Sequence, residues 1–204
     1  MDRLMGWVMI VAMLLAAPVS AQTLPPADGP ITCTSPVSVG DSAKSLMQRY
    51  GEEAVVADDL YTGVEDITYR GVALLPQSPD WRIDVLFADD AMTRVARLTV
   101  RDAESSHWNV AGVTIGSTLA QVQKINGKPF LVTGIDSDFT GFVINWKGGV
   151  LGRPLPGGCE IVVRFGRGKD IRSAPSGDPV ASDNATMRKW GPVVEQIEVR
   201  FPEK

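Results

Sequence analysis

A short segment of the chain occurs twice, and this internal repeat constrains the fold more than any other feature of the sequence. Residues 39–51 align without a gap with residues 115–127. In both copies a glycine and a hydroxyl residue come first, apolar residues follow at helical spacing, and a second glycine closes the segment. A hydroxyl N-cap and a closing glycine are typical of the two ends of an α-helix. The repeat therefore predicts two equivalent short helices.

Each predicted helix carries its apolar residues on one face. Such a face has to be buried against another layer of structure, and a sheet is the expected partner. The residues are Ala43, Leu46, Met47 and Tyr50 in the first copy, and Leu119, Val122 and Ile125 in the second.

Four strand-like segments follow each predicted helix. Several of them alternate apolar and polar residues, and Asp89-Asp90 is typical of a turn between two strands. The order of one helix and four strands thus occurs twice along the chain. It predicts an α+β protein with antiparallel sheets and with the helices packed on one face. The predicted strands are 54–57, 67–75, 81–88 and 93–101 after the first helix, and 130–134, 141–146, 159–165 and 193–201 after the second.

The same pattern predicts the organisation of the chain. Two tandem repeats, 37–101 and 113–204, are joined by a linker at 102–112 and preceded by an extension at 22–36. Residues 167–189 are rich in Gly, Pro, Ser, Asp and Arg and are predicted to be a long polar loop. Such a loop is either a solvated excursion or a segment that contacts a partner.

Residues 1–21 have the composition of a secretory signal peptide. Arg3 precedes an apolar run at 4–17, and small residues up to Ala21 suit a signal peptidase. A transmembrane anchor is the alternative, but it needs about 20 apolar residues, and Pro18 interrupts the run first. No lipobox cysteine follows the run. We therefore expect a periplasmic or secreted protein without a membrane anchor after cleavage.

The two cysteines, Cys33 and Cys159, are predicted to form one disulfide, because an exported chain folds in an oxidising compartment. A reactive thiol is the alternative, but the sequence has no CxxC pair and only one histidine, His107. The net charge of −4 disfavours nucleic acid and anionic lipid as partners, since both are bound mainly by excess Lys and Arg.

The repeated pattern of glycine, hydroxyl N-cap, short amphipathic helix and closing glycine, followed by antiparallel strands, resembles the β-lactamase inhibitory protein fold and its relatives among small outer-membrane assembly lipoproteins. The resemblance covers most of residues 37–165. The segments 126–130 and 138–141 also resemble exported proteins of Gram-negative bacteria. The resemblance implies that one sheet face binds another protein. This chain differs from the assembly lipoproteins, which have one repeat and a lipid anchor.

Five residues are candidates for contact with a partner protein. Tryptophan is enriched at binding hot spots, and we expect Trp108 and Trp146 to be partly exposed, whereas Trp81 should be in the core. The other candidates are Phe139, Asp136 and Asp138, which lie at a predicted turn. The acidic pair lacks the glycine and the distal glutamate of an EF-hand loop, so no metal and no cofactor is predicted.

Catalysis is the alternative function. Ser106 and His107 are adjacent, with Asp102 and Glu104 nearby, and acidic pairs at several predicted turns offer the carboxylates that a hydrolase or carbohydrate-active enzyme needs. Triads, however, are assembled from distant loops, and acidic residues at turns are usually solvated. The sequence therefore favours a non-enzymatic binding or inhibitory module of the bacterial periplasm whose partner is another envelope or secreted protein.

Overall fold

The computed structural model describes residues 29–61, 67–101, 107–134, 140–166, 168, 175 and 177–203. The described chain is α+β, as predicted, and its strands pair antiparallel within each sheet. Its helices are α1 (Ala43–Tyr50), α2 (Leu119–Asn126) and α3 (Ala185–Trp190). Its strands are β1 (Val55–Tyr61), β2 (Thr68–Leu74), β3 (Ile83–Phe87), β4 (Val95–Arg101), β5 (Asn109–Val110), β6 (Val113–Thr114), β7 (Leu131–Val132), β8 (Val143–Asn145), β9 (Glu160–Phe165), β10 (Val180–Ala181) and β11 (Val194–Arg200).

The two repeated segments form the predicted helices α1 and α2. Each begins with a capping box, in which the N-cap hydroxyl and the third helical residue bond to each other's backbone N–H groups. The pairs are Ser42 with Ser45 and Thr118 with Gln121. Each helix ends at the predicted glycine, which has a positive φ. The local interpretation of the repeat is therefore confirmed.

The sheets do not follow the predicted division into one four-stranded sheet for each repeat. The main sheet has the order β1-β2-β3-β4-β11-β9, and a smaller sheet has the order β10-β7-β8. Two strands of the second half thus extend the sheet of the first half. The pairing of β4 with β11 gives each of these strands a neighbour on both sides, so neither is an edge of the sheet. The tandem architecture is not confirmed.

The segment 167–189, expected to be a long polar loop, contains β10 and α3 in its described part. The Asn184 carboxamide oxygen accepts hydrogen bonds from the backbone N–H groups of Thr186 and Met187, and so caps α3. Met187 and Trp190 are buried. The polar composition of this segment reflects helix capping and turns as well as exposure.

The linker and the N-terminal extension also belong to the folded body. β5 lies in the predicted linker and pairs with β6. The backbone N–H of Ile31 donates to the carbonyl of Asn109 at 2.8 Å, and Ile31 is buried. Cys33 and Cys159 form the predicted disulfide, which joins this segment to the residue before β9. Within the described residues, no helix has the length and apolar character needed to cross a bilayer.

One face of the main sheet forms the core. Val72, Val85, Leu98, Val199 and Ile161 lie opposite one another across five neighbouring strands, and all are buried. The buried apolar residues of the three helices belong to the same apolar cluster. Because side chains alternate along a strand, the neighbouring residues of these five point to the other face, which carries the candidate site.

Asp41, in the turn before α1, is a buried carboxylate. It accepts hydrogen bonds from the backbone N–H of Ser38 at 2.8 Å, from the hydroxyl of Ser45 and from the guanidinium of Arg49. Burial is the largest single influence and raises the pKa of Asp41, but the hydrogen bonds from Arg49, Ser38 and Ser45 and the charge of Arg49 together hold the pKa below its ordinary value. The ionised carboxylate of Asp41 therefore stabilises the turn before α1 and its contact with that helix.

We predict that Asp41→Asn lowers the free energy of unfolding by about 1–3 kcal/mol at pH 7, because Arg49 loses its counter-charge. The contribution of Asp41 is present above the unfolded pKa of about 3.9 and is lost as the pH falls through the lower folded pKa. Urea unfolding at pH 7 and at pH 2 tests this. The difference between wild type and Asp41→Asn should shrink at pH 2, and Asp59→Asn, an exposed control, should show little difference at either pH. A difference that is unchanged at pH 2 would contradict the role of the charge.

Candidate functional site

The second face of the main sheet carries polar residues that are nevertheless buried. Asp84, Thr99 and Glu198 lie directly opposite one another on β3, β4 and β11, and each is less than a tenth exposed. Buried carboxylates need partners, because an isolated charge away from water is very costly. Arginine side chains on the same face supply these partners and cover the acidic groups.

Glu198 is the centre of one ion-paired cluster on this face. Its Oε2 accepts from Nε of Arg200 at 2.8 Å and lies 2.7 Å from the Nη2 of the same residue. Its Oε1 accepts from Nε2 of Gln196 at 2.8 Å and from Nη1 of Arg97 at 3.4 Å. Glu198 is 2% exposed, whereas the side chain of Arg200 is half exposed. The cluster therefore presents a fixed guanidinium to solvent.

A second cluster surrounds Asp84. Its Oδ1 accepts from Nε of Arg82 at 2.8 Å, and its Oδ2 lies 3.0 Å from Nη2 of Arg101. Arg82 also donates to Asp58, and Arg101 donates to the carbonyl of Tyr61. Burial on its own would lower the pKa of Arg82, but the bond to Asp58 and the charge of Asp84 raise it above its ordinary value. The arginines of this face are thus held in place by carboxylates.

An open groove crosses this face beside the Glu198 cluster. We call it the sheet groove; its volume is about 670 Å³. Its floor contains Arg97, Glu198 and Arg200, and large apolar side chains stand on either side. Ile67 and Tyr69 lie on one side, at the start of β2, and are 42% and 53% exposed. The lining residues on the other side include Phe142, Val143, Ile144 and Val162, and Ile144 is 53% exposed.

The width of the sheet groove determines what it can hold. Its lining residues come from every strand between β2 and β9, which spans four strand spacings, or about 19 Å. Small-molecule sites are usually concave and enclose most of their ligand. A surface of this width, with exposed apolar flanks and a charged floor, resembles a macromolecular interface more than a small-molecule site.

The structure places the candidate tryptophans in different environments. Trp108 is fully buried, so the expectation that it is partly exposed was wrong. Its indole Nε1 donates to the carbonyl of Trp81 at 3.0 Å, which satisfies its polar group inside the core. Trp146 is partly buried against Phe130, with ring centroids 5.3 Å apart. Trp81, expected at the start of a strand, is in a short 3₁₀ helix and is only partly buried.

Three of the predicted partner-binding residues, Phe139, Asp136 and Asp138, lie outside the described residues, as does Ser106. The structure therefore places none of them relative to the sheet groove.

The residues proposed for catalysis have structural partners where they are described. The ring of His107 stacks on that of Trp81 at 4.7 Å, and its Nε2 lies 3.6 Å from the exposed carboxylate of Asp80. Asp89 accepts hydrogen bonds from Thr93 and Arg94 within its own turn, and these bonds, led by the one from the backbone N–H of Thr93, lower its pKa. Among the described residues, no group of three or more His, Cys, Asp and Glu side chains could hold a metal ion.

Sequence reasoning missed the residues that line the sheet groove. The alternation of polar Gln196, Glu198 and Arg200 with apolar residues in β11 indicates one exposed face, and this signal was available. The position of β11 between β4 and β9 was not, because it depends on pairing between distant segments. Tyr69 and Ile144 gave no signal as single exposed residues of predicted strands. Comparison of the chain with protein-family models, with curated proteins and with solved structures gave no match.

We predict that Glu198→Gln lowers the free energy of unfolding by about 2–4 kcal/mol, because Arg97 and Arg200 then lack a buried counter-charge. Glu160→Gln is the matched control, since Glu160 lies opposite Arg200 on β9 but is exposed. Its effect should be within about 0.5 kcal/mol. Urea unfolding of both variants at pH 7 measures the difference. Equal effects of the two substitutions would show that the Glu198 cluster does not stabilise the sheet.

Proposed function

We propose that the protein is an exported binding module of the bacterial envelope, and that it recognises another protein through the sheet groove. The observation that carries this proposal is the arrangement of exposed apolar side chains on both sides of an ion-paired floor. Tyr69, Ile67 and Ile144 are each more than two-fifths exposed in the absence of a partner. Exposed apolar residues grouped in this way favour association, because burying them removes apolar surface from water.

The composition of the groove fits a protein partner. Tyrosine and arginine are enriched at binding hot spots, and the groove presents Tyr69 beside Arg97 and Arg200. The carboxylate of Glu198 already holds both arginines, so little side-chain freedom is lost when a partner binds. Preorganisation of this kind favours specific binding.

The charge of the groove indicates the chemistry of the partner. Its lining contains two arginines and one glutamate, which leaves one net positive charge. Arg200 is half exposed and can donate further hydrogen bonds. We therefore propose a partner segment that places an apolar or aromatic side chain between Tyr69 and Ile144 and a carboxylate at Arg200.

Two further observations support export and binding. The disulfide between Cys33 and Cys159 suits an oxidising compartment, in agreement with the signal-peptide pattern of residues 1–21. The resemblance of the repeated helix segments to the β-lactamase inhibitory protein fold implies protein recognition through a sheet face. An open sheet face with exposed apolar residues is consistent with that implication.

Site-specific photo-crosslinking in cells that produce the full chain tests the proposal. A photoreactive amino acid replaces Tyr69 or Ile144 in the groove, or Val150 as the control, because Val150 is equally exposed at 51% and does not line the groove. We predict one discrete adduct with another protein from both groove positions and none from Val150. Irradiation brings only residues in direct contact into covalent linkage, so the adduct reports the bound surface.

A second substitution makes the result specific. Ile144→Asp should lower the adduct yield from position 69 at least tenfold, since a charge replaces an apolar contact, whereas Val150→Asp should leave it unchanged. Both positions are exposed, so neither substitution disturbs the core. The same adducts from all three positions, or no adduct from the groove, would contradict the proposal.

A further inference from the structure

A second cavity lies between α2 and α3 and shares no lining residue with the sheet groove. We call it the α2–α3 pocket; its volume is about 1050 Å³. It extends along the whole of α2, from the N-cap Thr118 to the closing Gly127, and reaches Arg188 and Lys189 of α3. Leu119 and Ser182, which are buried, also line it.

Four cationic side chains line the α2–α3 pocket. They are Lys124, Lys128, Arg188 and Lys189, and all four are exposed. Within the described part of the chain, none of the four forms an ion pair with a carboxylate. The pocket lining contains no acidic residue, although the whole chain carries a net charge of −4. Positive charge is thus concentrated here against the overall balance of the protein.

The arginines around Asp84 and Glu198 show that this absence of partners is not general. Arg82, Arg97, Arg101 and Arg200 each lie within ion-pair distance of a carboxylate. Four like charges around one cavity repel one another, and an anion between them relieves that repulsion. The pocket is therefore electrostatically suited to an anionic ligand.

A hydrogen-bond chain beside the pocket leaves one neutral donor, the side-chain amide of Gln123, unpaired among the described residues at the same cavity. The backbone N–H of Phe130 donates to Oγ of Ser182 at 3.0 Å, and the Ser182 hydroxyl donates to Oε1 of Gln123 at 3.1 Å. Because Ser182 is 1% exposed and already accepts one N–H, its own proton is directed to Gln123. This bond fixes the carboxamide of Gln123, so its Nε2 donates elsewhere. In the described residues Nε2 has no acceptor, and Gln123 lines the pocket.

We propose that the α2–α3 pocket binds a small soluble polyanion that carries at least two phosphate groups. Three of its four cations are lysines, which bind phosphate groups as compact point charges. A phosphate group with a second pKa near 6 carries about −1.5 to −2 charges at pH 7, so two such groups balance four cations. The amide Nε2 of Gln123 donates to a phosphate oxygen at the centre of the cluster.

Titration of the folded mature protein with inorganic pyrophosphate, followed by NMR, tests the assignment. We expect saturable shifts in the side-chain amide of Gln123 and in the backbone amides of Lys124 and Lys189. The double variant Lys124→Ala/Lys189→Ala should weaken pyrophosphate binding at least tenfold. The matched control Lys44→Ala/Lys147→Ala removes two exposed lysines outside the pocket and should change the Kd less than twofold.

Two further measurements test the role of Gln123 and the preference for phosphate. Gln123→Glu keeps an oxygen for the Ser182 hydroxyl but replaces the amide donor by a negative charge, so the variant should stay folded and bind pyrophosphate at least tenfold more weakly. Citrate, a polycarboxylate, should bind more weakly than pyrophosphate. Shifts that do not saturate, or equal weakening by the control pair, would overturn the site, and tighter binding of citrate would overturn its assignment to phosphate.

Discussion

The antiparallel pairing of β4 with β11 is the interaction on which the rest of the structure depends. It aligns Leu98 with Val199 on the core face and Thr99 with Glu198 on the open face. A shift of one residue in this register would move Glu198 into the apolar core and Val199 to the surface, which is a strongly unfavourable exchange. The same pairing brings β9 into the main sheet, so both the core and the floor of the sheet groove require it.

Local features of the fold could be predicted because their causes are local. The capping residues Ser42 and Thr118 and the glycines that follow the helices fixed the bounds of α1 and α2 in advance. Alternation identified the long strands to within a few residues. Pairing between distant strands could not be predicted, because the alternation in β11 is compatible with several neighbours. The sheet groove combines side chains of β2, β4, β8 and β11, so its assembly could not be predicted from the sequence.

Two differences between the expectations and the structure have a common physical cause: the polarity of a short segment does not determine whether its apolar side chains are buried. Trp108 follows Ser105, Ser106 and His107 in sequence, yet it is fully buried in the apolar core, where the carbonyl of Trp81 accepts its indole N–H. The segment that contains α3 is rich in polar and turn-forming residues, yet Met187 and Trp190 pack into the core. In both places a few apolar side chains determine the position of a polar stretch. The two proposed surfaces also differ in their electrostatics: the arginines of the sheet groove are held by carboxylates, whereas the cations of the α2–α3 pocket are unpaired within the described chain.

The central claim is that the sheet groove is covered by another protein when the chain is at its place of action. Hydroxyl-radical footprinting measures this directly, because it compares the reactivity of individual side chains in intact cells with that in the purified protein. The account predicts that Tyr69 and Ile144 are modified at least threefold more slowly in cells, relative to Val150, than in the purified protein. Equal relative reactivity of these three residues in cells and in the purified protein would contradict it.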